Sequence, residues 1–217
     1  MYLLAGVLAA ISIPLWVAQY AGFLPAGTAY AGSLWHAHEM IFGYAAAVIV
    51  GFLFTAARNW TGRPTPGGIA LGAIAGLWVA ARILALTPWP GLAGVFDVSF
   101  ALAAATGLAI PLWRARNRRN YFFVALLVAM AALNAGFHLT LAGLIEADLP
   151  RLLVIALDLV LFIAVVMGAA LVRVFVPLLA PQLTLAGVVV AGVLWSAAFA
   201  TFTIAYWPII TRPALKG

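Results

Sequence analysis

Long apolar runs separated by short polar turns organise this chain. Seven stretches, near residues 3–20, 35–57, 68–86, 95–113, 121–144, 151–172 and 184–207, have the length to cross a bilayer as helices. The connections are rich in helix stoppers: Gly62-Arg63-Pro64-Thr65-Pro66-Gly67, then Thr87-Pro88-Trp89-Pro90-Gly91, then Glu146-Ala147-Asp148-Leu149-Pro150. Pro177 and Pro181 flank the last turn. The pattern predicts an all-α fold, a polytopic bundle of about seven transmembrane helices forming a single membrane-embedded domain over residues 1–217. No convincing internal repeat interrupts it.

Composition agrees with that class. The chain is 67% hydrophobic and 7% charged, whereas a soluble domain is about half apolar and a quarter charged. Its lipid-facing surface makes the bilayer the first partner. A net charge of +6 carries no nucleic-acid signal here, because the basic residues lie mostly in loops. Cysteine is absent, which excludes disulfides, thiolate metal sites, iron–sulfur clusters and covalent c-type haem attachment. Ala29-Tyr30-Ala31 resembles a signal-peptide cleavage site, but no basic region precedes the first apolar stretch. That stretch is therefore expected to remain as a helix.

Lys and Arg set the expected orientation. Arg114, Arg116, Arg118 and Arg119 crowd the loop after the fourth stretch, which makes that loop cytoplasmic. Alternation then puts Arg58, Arg63 and Arg173 inside as well, and leaves Arg82, Arg151, Arg212 and Lys216 outside. The amino terminus is expected in the cytoplasm.

Orientation brings the polar residues together by depth. Trp35-His36-Ala37-His38-Glu39-Met40 opens the second stretch at its outer end. Arg82 and Asp97 lie about a turn inside the outer ends of the third and fourth stretches. His138 lies about 9 Å below the outer end of the fifth, with Asn134 one turn deeper on the same face. Asp158 lies about two turns into the sixth. An ionisable group within a membrane is a functional-site hypothesis, because it must be paired, hydrated or liganded.

Arg82 and Asp97 face each other across a short hairpin at matching depth, so an ion pair is expected; a haem propionate or a proton path are the other roles open to them. The histidines have two readings. In the plainer one, they bond backbone carbonyls or water at the interface. In the other, they hold a cofactor or handle protons. On a regular helix His36 shares a face with Glu39, Met40 and Gly43, while His38 shares another with Phe42 and Ala45. Each face offers one imidazole, and His138 offers a second from another helix. Two imidazoles from facing helices suit a haem, and Gly43, Ala46 and Ala47 would leave a groove for it beside His36. Imidazole with Met40 or Glu39 suits copper. Trp35, Trp60, Trp78, Trp89, Trp113, Trp195 and Trp207 are read as interfacial anchors, and Met130 and Met167 as packing residues.

The run from Trp35 to Gly43, then Gly51-Phe52-Leu53 and Asn59-Trp60-Thr61-Gly62, resembles the signature of the NnrS family. Phe96-Asp97, Arg118-Arg119-Asn120, Leu194-Trp195, Tyr206-Trp207-Pro208-Ile209 and Arg212-Pro213 resemble its later motifs. The likeness is strongest at the first signature and thins after about residue 145. Typical members are nearly twice as long, and their later histidine-containing region has no counterpart here. The resemblance implies a bacterial inner-membrane, multi-pass protein containing haem and copper. It also implies a link to denitrification and to nitric oxide or nitrosative stress, with no settled catalytic activity. His36 and His38, with Glu39 and Asp97, are the residues it carries over.

Taken together, the first expectation is a haem protein, b-type and non-covalent, with copper as a second cofactor. His36, His38, His138, Arg82 and Asp97 would bind the cofactor, and His36, His38, His138, Met40 and Glu39 would be the metal-ligand candidates. Nitric oxide or a redox partner would be its counterpart. Two alternatives stay open: a proton-coupled transporter or channel using the same His/Asp/Glu cluster, and a non-catalytic membrane assembly partner.

Overall fold

Prolines and glycines end the helices where the sequence pattern places the turns. The computed structural model describes residues 1–23 and 32–211, apart from some side chains after residue 169. The elements are α1 (Tyr2–Tyr20), α2 (Gly32–Thr61), α3 (Gly68–Leu84), α4 (Pro90–Arg114), α5 (Tyr121–Leu141), α6 (Leu149–Leu179) and α7 (Thr184–Thr211). Single 3-10 turns, Arg118–Asn120 and Pro181–Leu183, precede α5 and α7. No strand occurs among the described residues. Pro90 occupies the first turn of α4, where its missing N–H costs nothing. The Asp148 carboxylate accepts from the Arg151 amide at the start of α6, filling one of the donor vacancies of a helix start.

Among the described residues, five helices are long and apolar enough to cross a membrane: α1, α2, α4, α5 and the Leu149–Ala169 portion of α6. The expected boundaries of most apolar stretches agree with the helices to within about four residues, but α4 starts five residues before its expected stretch and α6 continues seven residues past residue 172. The chain divides into two compact units, Met1–Leu157 and Asp158–Gly217. In the first, α2 is the most buried spanning helix and α1 the least, and α4 packs most extensively on α5 and α3. Small residues line these contacts. Ala47, Ala57 and Ala104 are fully buried, which lets neighbouring backbones approach as they do in lipid. The second unit comprises the rest of α6 and α7, whose turn is packed tightly: a Cβ on Gly187 would meet Val176 at 2.7 Å.

α2 is not a regular α-helix. It is α-helical over Gly32–His38, π-helical over Glu39–Ala45 and α-helical again over Ala46–Thr61. The wider turn begins within the Trp-His-Ala-His-Glu-Met run. Such turns insert one residue per turn and are frequent where side chains must be re-aimed at a site.

Candidate metal centre

Within the Trp35–Met40 run, packing separates the residues that face the core from those that do not. His38 and Glu39 are both buried, at 0% and 1% exposure. A regular helix would put His36, Glu39 and Gly43 on one face and His38 on another. Instead His36 points elsewhere, half-buried, with its ring stacked on Trp16 at 4.3 Å between centroids. Met40 is also half-buried. Neither belongs to the group that forms around His38.

That group is built by four helices. Arg82, one turn from the end of α3, reaches two carboxylates. Its Nη1 donates to Glu39 Oε2 at 2.9 Å, and its Nη2 lies 2.5 Å from Asp97 Oδ1 on α4. The ion pair expected across the α3–α4 hairpin is therefore present, with Glu39 as a second anion. The other oxygen of Asp97 faces the histidines. Asp97 Oδ2 lies 3.5 Å from His38 Nε2 and 3.5 Å from His138 Nε2 on α5. His38 Nε2 is also 3.0 Å from Asn134 Oδ1, one helical turn before His138. On its far side, His38 Nδ1 lies 3.4 Å from Glu39 Oε1. The rings of His38 and His138 meet edge-on at 5.2 Å, and Phe137 packs against both.

Two glycines make this arrangement sterically feasible. A Cβ on Gly43 would lie 2.6 Å from Arg82 Nη1 and 2.8 Å from Leu8. A Cβ on Gly94 would lie 2.7 Å from the His138 ring. A side chain at either position would force Arg82 or His138 to shift. The groove expected beside Gly43, Ala46 and Ala47 is consequently filled: Arg82 and Leu8 occupy the space at Gly43, and Ala47 is fully buried.

Two tryptophans read as interfacial anchors prove to be core residues. Trp35 and Trp78 are 2% and 3% exposed, and the Trp78 indole donates to the Gly43 carbonyl at 3.0 Å. A visible spacing pointed to this role, since Trp78 precedes Arg82 by four residues and shares its helix face. Trp89 and Trp113 are exposed, as anchors would be. The side chains of Trp195 and Trp207 lie outside the described residues. Met130 packs as expected, buried beside Phe42, Phe100 and Leu127. Asp158, added to the slab by depth, is half-buried in the second unit.

Charge states what the group needs. Glu39, Asp97 and Arg82 sum to −1 when ionised, and both nitrogens of His38 face oxygen acceptors. One further positive charge, on a proton or a metal ion, would balance the site. His38, Asp97 and His138 each offer a ligand atom, all within 4.8 Å of one another and all buried. Two imidazoles and a carboxylate form a recurrent donor set for first-row transition metals. Glu39 beside His38 Nδ1 stands where an outer partner would orient that imidazole if it held a metal.

The family model described as NnrS protein matches residues 1–169 and 159–214, nearly the whole chain in two overlapping pieces. No curated protein and no solved structure matches.

Proposed function

The chain belongs to the NnrS family, and from that premise we propose that it is a membrane metalloprotein whose His38, Asp97 and His138 hold one transition-metal ion. Copper is the first choice, since the resemblance implies it and imidazole suits it. The proposed setting is the family's: denitrification, or the response to nitric oxide and nitrosative stress, at the bacterial inner membrane. The proposed orientation has the group in the outer leaflet, a reading supported by the bias of the loop arginines.

One observation carries this reading: a single carboxylate oxygen faces both imidazole Nε2 atoms inside a buried group in which two carboxylates share one arginine. Arg82 holds the other oxygen of Asp97 and so fixes the plane of the carboxylate. Asn134 and Glu39 fix the ring of His38 from both sides. Copper bound there would supply a one-electron redox centre and a binding position for a small ligand such as nitric oxide.

Haem fits the same residues poorly. An iron held between His38 and His138 needs a flat macrocycle between their rings. That space belongs to Asp97, the rings stand at 80° to one another, and Phe137 closes the side. A haem at His138 with these partners would require Asp97 to leave both Arg82 and His38.

Proton handling is the second reading, and it is favoured by the same two carboxylates on one arginine. A through-path would need buried polar groups beyond this group. Among the described residues, the buried polar side chains are Ser12 and the members of the group itself.

Metal analysis and a pyridine haemochrome assay on one preparation of the purified chain test the proposal. The expected result is about one metal ion per chain, lost in His38→Ala and His138→Ala and kept in His36→Ala. A folded chain that takes up no metal when copper and iron are supplied overturns it. A haem signal that changes in His138→Ala would replace the ion with the haem reading.

A further inference from the structure

A second feature adjoins the charged group from the opposite side of Arg82. Between α1, α2 and α3 lies a cleft of about 310 Å³. Its α1 wall uses Leu4, Val7, Leu8, Ile11, Ser12 and Leu15, spaced by three and four residues along one helix face. The cleft thus runs about 16 Å along α1. Trp35, Trp78 and Val79 form much of the opposite wall, and Glu39 and Arg82 lie at its base. The rim is open: Val7, Ile11 and Ile83 are more than half exposed. On a membrane helix, that opening faces acyl chains and not water.

Two buried donors in this cleft have no partner. Ser12 is 1% exposed and Trp35 2%. Neither the Ser12 hydroxyl nor the Trp35 Nε1–H makes a hydrogen bond. An unsatisfied buried donor is costly, and lipid offers nothing to repair it. The neighbouring indole is different, because the Trp78 Nε1–H is already donated to Gly43. The occupant must therefore bring acceptor oxygens.

The occupant should also be neutral. Arg82 is already engaged by two carboxylates, Glu39 and Asp97. A phosphate or carboxylate headgroup at the base would have to compete with both for it. The two indoles suit a flat ring between or beside them, and the aliphatic α1 wall suits a hydrocarbon tail. A neutral flat ring with acceptor oxygens and an apolar tail, reached from the bilayer, is the description of an isoprenoid quinone.

We propose that this cleft is a quinone-binding site, in which ring carbonyls accept from Ser12 Oγ–H and Trp35 Nε1–H. The proposal goes beyond the metal site and does not rest on it. It assigns binding only. It also gives Arg82 and Glu39 a second position, as the wall shared by the cleft and the histidine group.

The test uses the full chain, purified and depleted of quinone, then titrated with decylubiquinone and with a short-chain menaquinone. Bound quinone is extracted and quantified after gel filtration. Saturable binding of about one quinone per chain is expected for at least one ring type. Ser12→Ala with Trp35→Phe removes both donors and keeps an aromatic ring at position 35, and should weaken binding at least about tenfold. Val79→Trp should fill the cleft and abolish binding. His138→Ala, which strips the proposed metal site, should still bind quinone; this separates failure of one proposal from failure of the other. Three results overturn the assignment: uptake that rises without saturation, binding unchanged in the folded double variant, or a retained phospholipid that quinone does not displace. In the last case the cleft is a structural lipid site.

Discussion

His36 and His38 stand two residues apart in one motif and live in different worlds. His36 is half-buried and lies on Trp16, at the side of the bundle closed by the exposed helix α1. His38 is sealed at 0% exposure, with Glu39, Asp97, Asn134 and His138 around it. The first imidazole contributes a flat surface to a helix contact. The second contributes two nitrogens to a charged network. The same residue type at the same end of one helix therefore does not imply the same task, and a motif with two histidines need not hold a metal with both.

The largest effect should come from the carboxylate that unites the His38 side. Asp97→Ala leaves Arg82 with Glu39 alone and removes the oxygen shared by both imidazoles. Breaking one partner out of a buried ion network costs about 3–5 kcal/mol. Reversible unfolding in mixed detergent should show that loss, and bound metal should fall to background. A variant as stable as the parent would mean the network contributes little.

Next comes the direct contrast between the two histidines. His38→Ala leaves Asn134 and Glu39 without their imidazole and should cost about 1–3 kcal/mol, together with the metal. Equal metal content in His38→Ala and His36→Ala would erase the distinction drawn between them. Gly94→Ala sharpens the same contrast without touching a ligand. Its new methyl would press on the His138 ring, at a cost of about 1–3 kcal/mol. Metal affinity should drop because His138 is displaced, and affinity equal to the parent's would show that the ring has somewhere else to go. The smallest effect is expected at His36. His36→Ala removes one ring stack, worth about 0.5–1.5 kcal/mol, and should leave metal content unchanged. His36→Phe should recover most of that stability, because the contact with Trp16 needs a flat ring and no nitrogen.

Much of this was legible in the chain. Apolar run length located the helices, because a membrane leaves the backbone no option but to satisfy itself within each segment. The Arg82–Asp97 pair was legible because a short hairpin places two opposite charges at one depth, where neither survives alone. Asn134 and His138 were legible as a pair because they are one turn apart on an ordinary helix. Trp35 and Trp78 were misread, since position near a helix end says nothing about which way an indole points.

What only the tertiary structure decided is the choice between His36 and His38. Reading a face from sequence assumes roughly 100° of rotation per residue. The π turn over Glu39–Ala45 begins just after His38, so its extra residue shifts Met40 and Gly43 relative to both histidines, while His36 and His38 keep the angle of a regular helix and packing chooses between them. No local pattern encodes the extra residue. It persists because Arg82 holds Glu39 at one end, the Trp78 indole holds the Gly43 carbonyl at the other, and Gly43 itself leaves room for both. The sequence determined that histidines, acids and one arginine would meet. Packing between four helices determined which imidazole enters the group and which one is left to lie on Trp16.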